Sequence, residues 1–240
     1  MPTLGAAVLP VTGGLSHSHV HSYEYKVDEP WQRSLLSVKR VESKAEGADT
    51  GDGSHTEVHS EIEEISVVEK LHITRVILNM SSARTAEGPP VIRTTGNRIE
   101  GMRLGKVHVT VVLDDETLCT CGTKQQLADF YAGQTEDFRR ANAWRFSTQA
   151  GASELQEHGG YYKCTLVREI QLSGPADEVA KIPPPEGNKI YWPGFGRIYL
   201  GEVLVGVRER RMTMIRLAMG SDAGGSGSIG DAGTNGSVST

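Results

Sequence analysis

The chain has 240 residues, a formal charge of −5 and 38% apolar residues, of which few are aromatic. That balance offers no general attraction to nucleic acid or an anionic membrane, both of which reward clustered Lys and Arg. No run approaches the roughly 20 apolar residues of a membrane-spanning helix. Cys119, Cys121 and Cys164 are odd in number and sparse. They suit a reducing compartment better than a disulfide framework, and the start lacks a basic signal-peptide region, so a cytoplasmic location is expected.

In chain order, residues 1–16 read as a flexible N-terminal arm. Residues 17–219 read as a single β-rich domain, opening on the Ser16-His17-Ser18-His19-Val20-His21-Ser22 stretch. Ser43 to Thr56 is polar and glycine-bearing and reads as a mobile loop. In Glu57 to Val68, the residues Val58, Ile62 and Ile65 fit helical spacing, while the neighbouring segments favour strand; strand is the reading taken. Leu71 to Met80 is apolar on both faces, as in a buried central strand, and Lys106 to Leu113 alternates β-branched residues.

Thr123 and Thr135 are placed to cap two helices, with Leu127, Phe130 and Tyr131 on one face of the first. Together they make a short two-helix insertion at about 123–146. Tyr161 to Leu172 alternates again. A polyproline connection at 181–187 precedes three strands over Lys189 to Met219, a C-terminal β-meander. Residues 220–240 are rich in Gly and Ser and read as a flexible tail. The expected class is mainly β (α+β), an antiparallel sandwich or open barrel.

Four features carry candidate chemistry. His17, His19 and His21 fall on one face of an extended strand, where three imidazoles suit zinc or another divalent transition metal. This triplet resembles the His-x-His opening of metal-dependent phosphoesterases and amidohydrolases. That resemblance implies a hydrolase with a further acid such as Glu24 or Asp115, although no βα alternation is present to carry that family's barrel. Cys119 and Cys121, read as sharing a face of an extended segment, are better as small core residues than as half of a metal site. Tyr191, Trp192 and Phe195 form an aromatic turn that would give a carbohydrate- or peptide-binding module its flat platform, or else anchor the loop.

Charge is segregated. Glu42 to Glu64 holds eight acids, among them Glu61, Glu63 and Glu64, against Lys44 alone. Gly206 to Arg216 holds Arg208, Arg210, Arg211 and Arg216. Such blocks attract each other within a chain or between neighbours. No Ser nucleophile elbow, phosphate loop or dinucleotide fingerprint is present, and no catalytic residue or cofactor is assigned. The leading expectation is a non-catalytic structural or assembly subunit, a homo-oligomer partnered with itself and with neither nucleic acid nor membrane. The metal-dependent hydrolase and the binding module are the alternatives.

Overall fold

A computed structural model describes residues 4–9, 13–27, 33–85, 88, 91–146, 154–207, 209–219 and 225–235. The strands in chain order are β1 (Gly14–Val27), β2 (Arg33–Thr50), β3 (Gly53–Val67), β4 (Leu71–Thr85), β5 (Val91–Arg93), β6 (Arg98–Glu100), β7 (Met102–Leu104), β8 (Val107–Leu113), β9 (Glu157–His158), β10 (Tyr161–Thr165), β11 (Val167–Ser173), β12 (Lys189–Trp192), β13 (Gly196–Val205), β14 (Glu209–Met219) and β15 (Gly225–Asn235). Five short helices accompany them: α1 (Asp115–Thr120), α2 (Lys124–Ala132), α3 (Glu136–Ala141), α4 (Ala143–Phe146) and α5 (Ala176–Val179).

Two antiparallel sheets make a β sandwich. The larger runs β1-β2-β3-β4-β7-β8-β11, with β5 and β6 also paired to β4; the smaller runs β15-β14-β13-β10-β9, with β12 on β13. Neither closes into a barrel. β15 lies against β3 and β4, and one apolar core joins the sheets, with Ile65, Leu71 and Leu78 from the larger meeting Ile198, Leu200 and Met214 from the smaller. β-branched and long aliphatic side chains on alternating positions account for this packing.

The long strands β1 to β4 share an irregularity at mid-height. The ladders skip Ser22 opposite Lys39, Lys39 opposite Glu64, and Glu64 opposite Thr74, while the register continues unchanged on both sides. Ser22 and Glu64 have positive φ, 50° and 49°. Across this seam the buried positions are three apart instead of two: Val38 then Val41, Ile62 then Ile65, Ile73 then Val76. Each strand thus swaps its inward and outward parity at one level, keeping one continuous apolar face.

Several expectations need correction. Ser43 to Thr56 is no loop: it lies in β2 and β3, whose ladder runs through to Thr50 opposite Gly53, leaving Gly51-Asp52 as a two-residue turn. Polar composition misled because only the inward positions, such as Ala45, need be buried. Residues 225–235, assigned to the tail, form β15 on β14; backbone bonding suffices there, with Ile229 and Ala232 packing on the core. The insertion holds more than two helices, since α4 follows α3 and α1 precedes α2. Cys119 therefore sits in a helix with Cys121 as its C-cap, not on an extended segment. The Thr123 and Thr135 caps stand as read, and Gln126 completes a capping box at the first. Among the described residues, no helix is long and apolar enough to cross a membrane.

Candidate functional site at the sheet edge

β1 is the outermost strand of the larger sheet, and its far side has no ladder among the described residues. On the outward face below the seam, cross-strand register builds three neighbouring rows: His17, Lys44, His59, Asn79; then His19, Glu42, Glu61, Ile77; then His21, Arg40, Glu63, Arg75. Directly opposed side chains in an antiparallel pair lie close enough to interact, and these rows are knitted by charge. Arg40 donates to Glu61 at 3.0 Å and to Glu63 at 2.7 Å, while Arg75 Nε donates to Glu61 at 2.9 Å. Burial pushes the Glu63 carboxyl up, but the Arg40 guanidinium outweighs it and holds the group below its ordinary value. His59 Nδ1 lies 2.7 Å from Asn79 Oδ1.

The three predicted histidines do share a face. His17 Nε2 stands 3.5 Å from Glu42, and the His19 and His21 rings have centroids 3.9 Å apart, against 6.3 Å for His17 and His19. Among the described residues, no three His, Cys, Asp or Glu side chains converge as a metal site. Glu24 pairs with Lys26 at 3.0 Å, and the side chain of Asp115 lies outside the described residues.

Among the described residues, no ion pair joins the predicted charge blocks within the chain. Glu61 and Glu63 are satisfied by Arg40 and Arg75 within their own sheet, and Glu64 is exposed at the seam. Arg208 lies outside the described residues. Arg211 is exposed, beside Glu209 at 3.7 Å and the Tyr161 ring. Arg210 is not a surface residue at all. It is wholly buried and donates to the carbonyls of Leu118 and Cys121, closing the C-terminal end of α1. Period-two alternation with Met212 and Met214 was the signal that placed it inward. Burial lowers its affinity for the proton. Burial likewise pushes the neighbouring Cys164 thiol up to about 12, keeping it protonated.

The aromatic turn packs inward as an anchor. Phe195 is buried and stacks on Trp192 at 5.3 Å, which leaves Tyr191 as the exposed ring. Sequence reasoning also missed a buried ion pair. Asp114 caps α1 by accepting from Thr117 N–H and pairs with Arg145, so the carboxylate is structural.

No curated protein and no solved structure matches this chain. The model of one family, Domain of unknown function (DUF8256), matches residues 1–206, and the chain belongs to that family.

Proposed function

We propose that the protein is a non-catalytic, cytoplasmic assembly subunit that pairs with a second copy of itself through the open edge of β1. The observation that carries this reading is the edge itself: fourteen residues, no proline, and a single lysine at Lys26 near its end. Natural edge strands are commonly guarded by charge, proline or brevity, and an unguarded one is a template for another strand. Ser16 to Ser22 is nearly palindromic about His19, so an antiparallel copy centred there sets His17 opposite the partner's His21. Self-complementarity of that kind is what a two-fold contact requires. The thiols are not joined by disulfides, which suits a reducing compartment.

Sedimentation velocity across micromolar concentrations tests the proposal. A dimer is expected, and replacing His19 and His21 by Lys is expected to weaken it at least tenfold by opposing like charges. A monomer at every concentration, or a dimer indifferent to the lysines, rejects it.

A further inference from the structure

Behind the inward face of β2 and β3 lies a cavity of about 580 Å³, walled on the other side by β15 and along its mouth by the segment Leu4 to Ala7. We propose that it binds a free, neutral, single-chain aliphatic molecule with a hydroxyl or amide head. The inference is independent of the edge pairing, because it uses the opposite face of the sheet.

Shape supplies the first argument. The lining runs along β2 from Leu36 to Ser43, seven steps of about 3.3 Å, so the slot is about 23 Å long, an elongated shape that suits an extended chain. Its volume falls within the usual range of small-molecule sites. Val38, Val41, Ile62, Ile65 and Ile229 give it an apolar stretch of wall.

Polar placement supplies the second. Ser43 and Ser60 face inward between apolar neighbours, and among the described residues their hydroxyls hydrogen-bond only each other, at 3.1 Å. Two hydroxyls offer two donors and four lone pairs, so that single bond leaves most of their capacity unused, at the lining of the slot. Charge supplies the third. Arg216 is held by Glu202 through two hydrogen bonds, Lys163 joins the same carboxylate at 3.1 Å, and Asp231 is also in the lining. Two cations against two carboxylates balance, with His59 the remaining titratable side chain of the lining, so no net charge selects an ion.

The mouth is built to lie close. Gly5 has φ +64°, and a Cβ there would stand 2.3 Å from Val41 Cγ1, so only glycine lets the backbone rest on the wall. Val8 N–H donates to Ser16 Oγ at 3.2 Å and ties the segment to β1.

Calorimetric titration of the full chain with 1-decanol tests this, with decanoate and decyltrimethylammonium as charged counterparts. One saturable site per chain is expected, with both ions at least tenfold weaker. Ile62→Phe fills the slot and should abolish uptake. Ser43→Ala with Ser60→Ala removes both partners of the hydrogen bond, a change that leaves no orphan, and should weaken decanol at least tenfold even if the phenylalanine variant fails to fold. Absence of saturable uptake, uptake unchanged in the serine variant, or decanoate binding as tightly as decanol overturns the proposal.

Discussion

Arg210 of β14 donates to the Leu118 carbonyl of α1 at 2.8 Å from a position with no exposed surface. A second bond reaches the Cys121 carbonyl, so one side chain of the smaller sheet satisfies helix-end acceptors that would otherwise be orphaned. No carboxylate accompanies it in those bonds. Arg210→Met keeps the aliphatic stem but leaves both carbonyls buried without donors, at a cost of about 2–4 kcal/mol. In a chain of this size that is a melting-temperature drop of roughly 5–15 °C, read by calorimetry.

Asp114 and Arg145 hold the other end of α1. Burial pushes the Asp114 carboxyl up, but the Arg145 guanidinium, with the Thr117 N–H and hydroxyl, outweighs it and leaves the group below its ordinary value. A depressed carboxyl contributes stability that is complete above its unfolded value, about 4, and is lost as pH falls through the lower folded value. Asp114→Asn should therefore be less stable than the parent at pH 7, and the gap should narrow as pH falls below about 4. Denaturant unfolding at both pH values reads the difference.

Thr123 caps α2 through a reciprocal pair: its hydroxyl accepts from Gln126 N–H, and the Gln126 side chain accepts from Thr123 N–H. Thr123→Ala should cost about 1 kcal/mol. Thr123→Ser should restore most of it, as equilibrium urea unfolding of the three proteins will show.

Gly101 has φ +63°, and a Cβ there would lie 2.2 Å from Thr74 Oγ1 at the seam. Gly101→Ala should cost about 1–3 kcal/mol from the left-handed backbone, with steric crowding in addition. Adding Thr74→Ala should recover the crowding but not the backbone strain, so a double-mutant cycle separates the two.

The sandwich class, the helix caps and the terminal meander were legible because each rests on local chemistry. Thr123 is a helix-capping residue ahead of an apolar face, and Arg197 to Met219 reads as strand, turn, strand. The helix-or-strand ambiguity over Val58, Ile62 and Ile65 has a physical source: the seam inserts a spacing of three into a period of two, and three is also a helical interval. The same parity change contributes to the look of a strand apolar on both faces in Leu71 to Met80, where Ile73 and Val76 face inward together. Gly51-Asp52 was a readable hairpin turn, masked by acidic neighbours that merely face solvent. Alternation with Met212 and Met214 places Arg210 inward, but its carbonyl partner and the Asp114 pair with Arg145 depend on contacts 92 and 31 residues apart, which no local pattern encodes.

The seam divides the long hairpins into upper and lower flaps joined by a line of missing rungs. Amide hydrogens at Ser22, Lys39, Glu64 and Thr74 should exchange faster than those one step away, tracing a crease across the sheet. The lower flap carries both the histidine edge and the Ser43 and Ser60 wall, so bending at that crease would move the two together, as a single leaf.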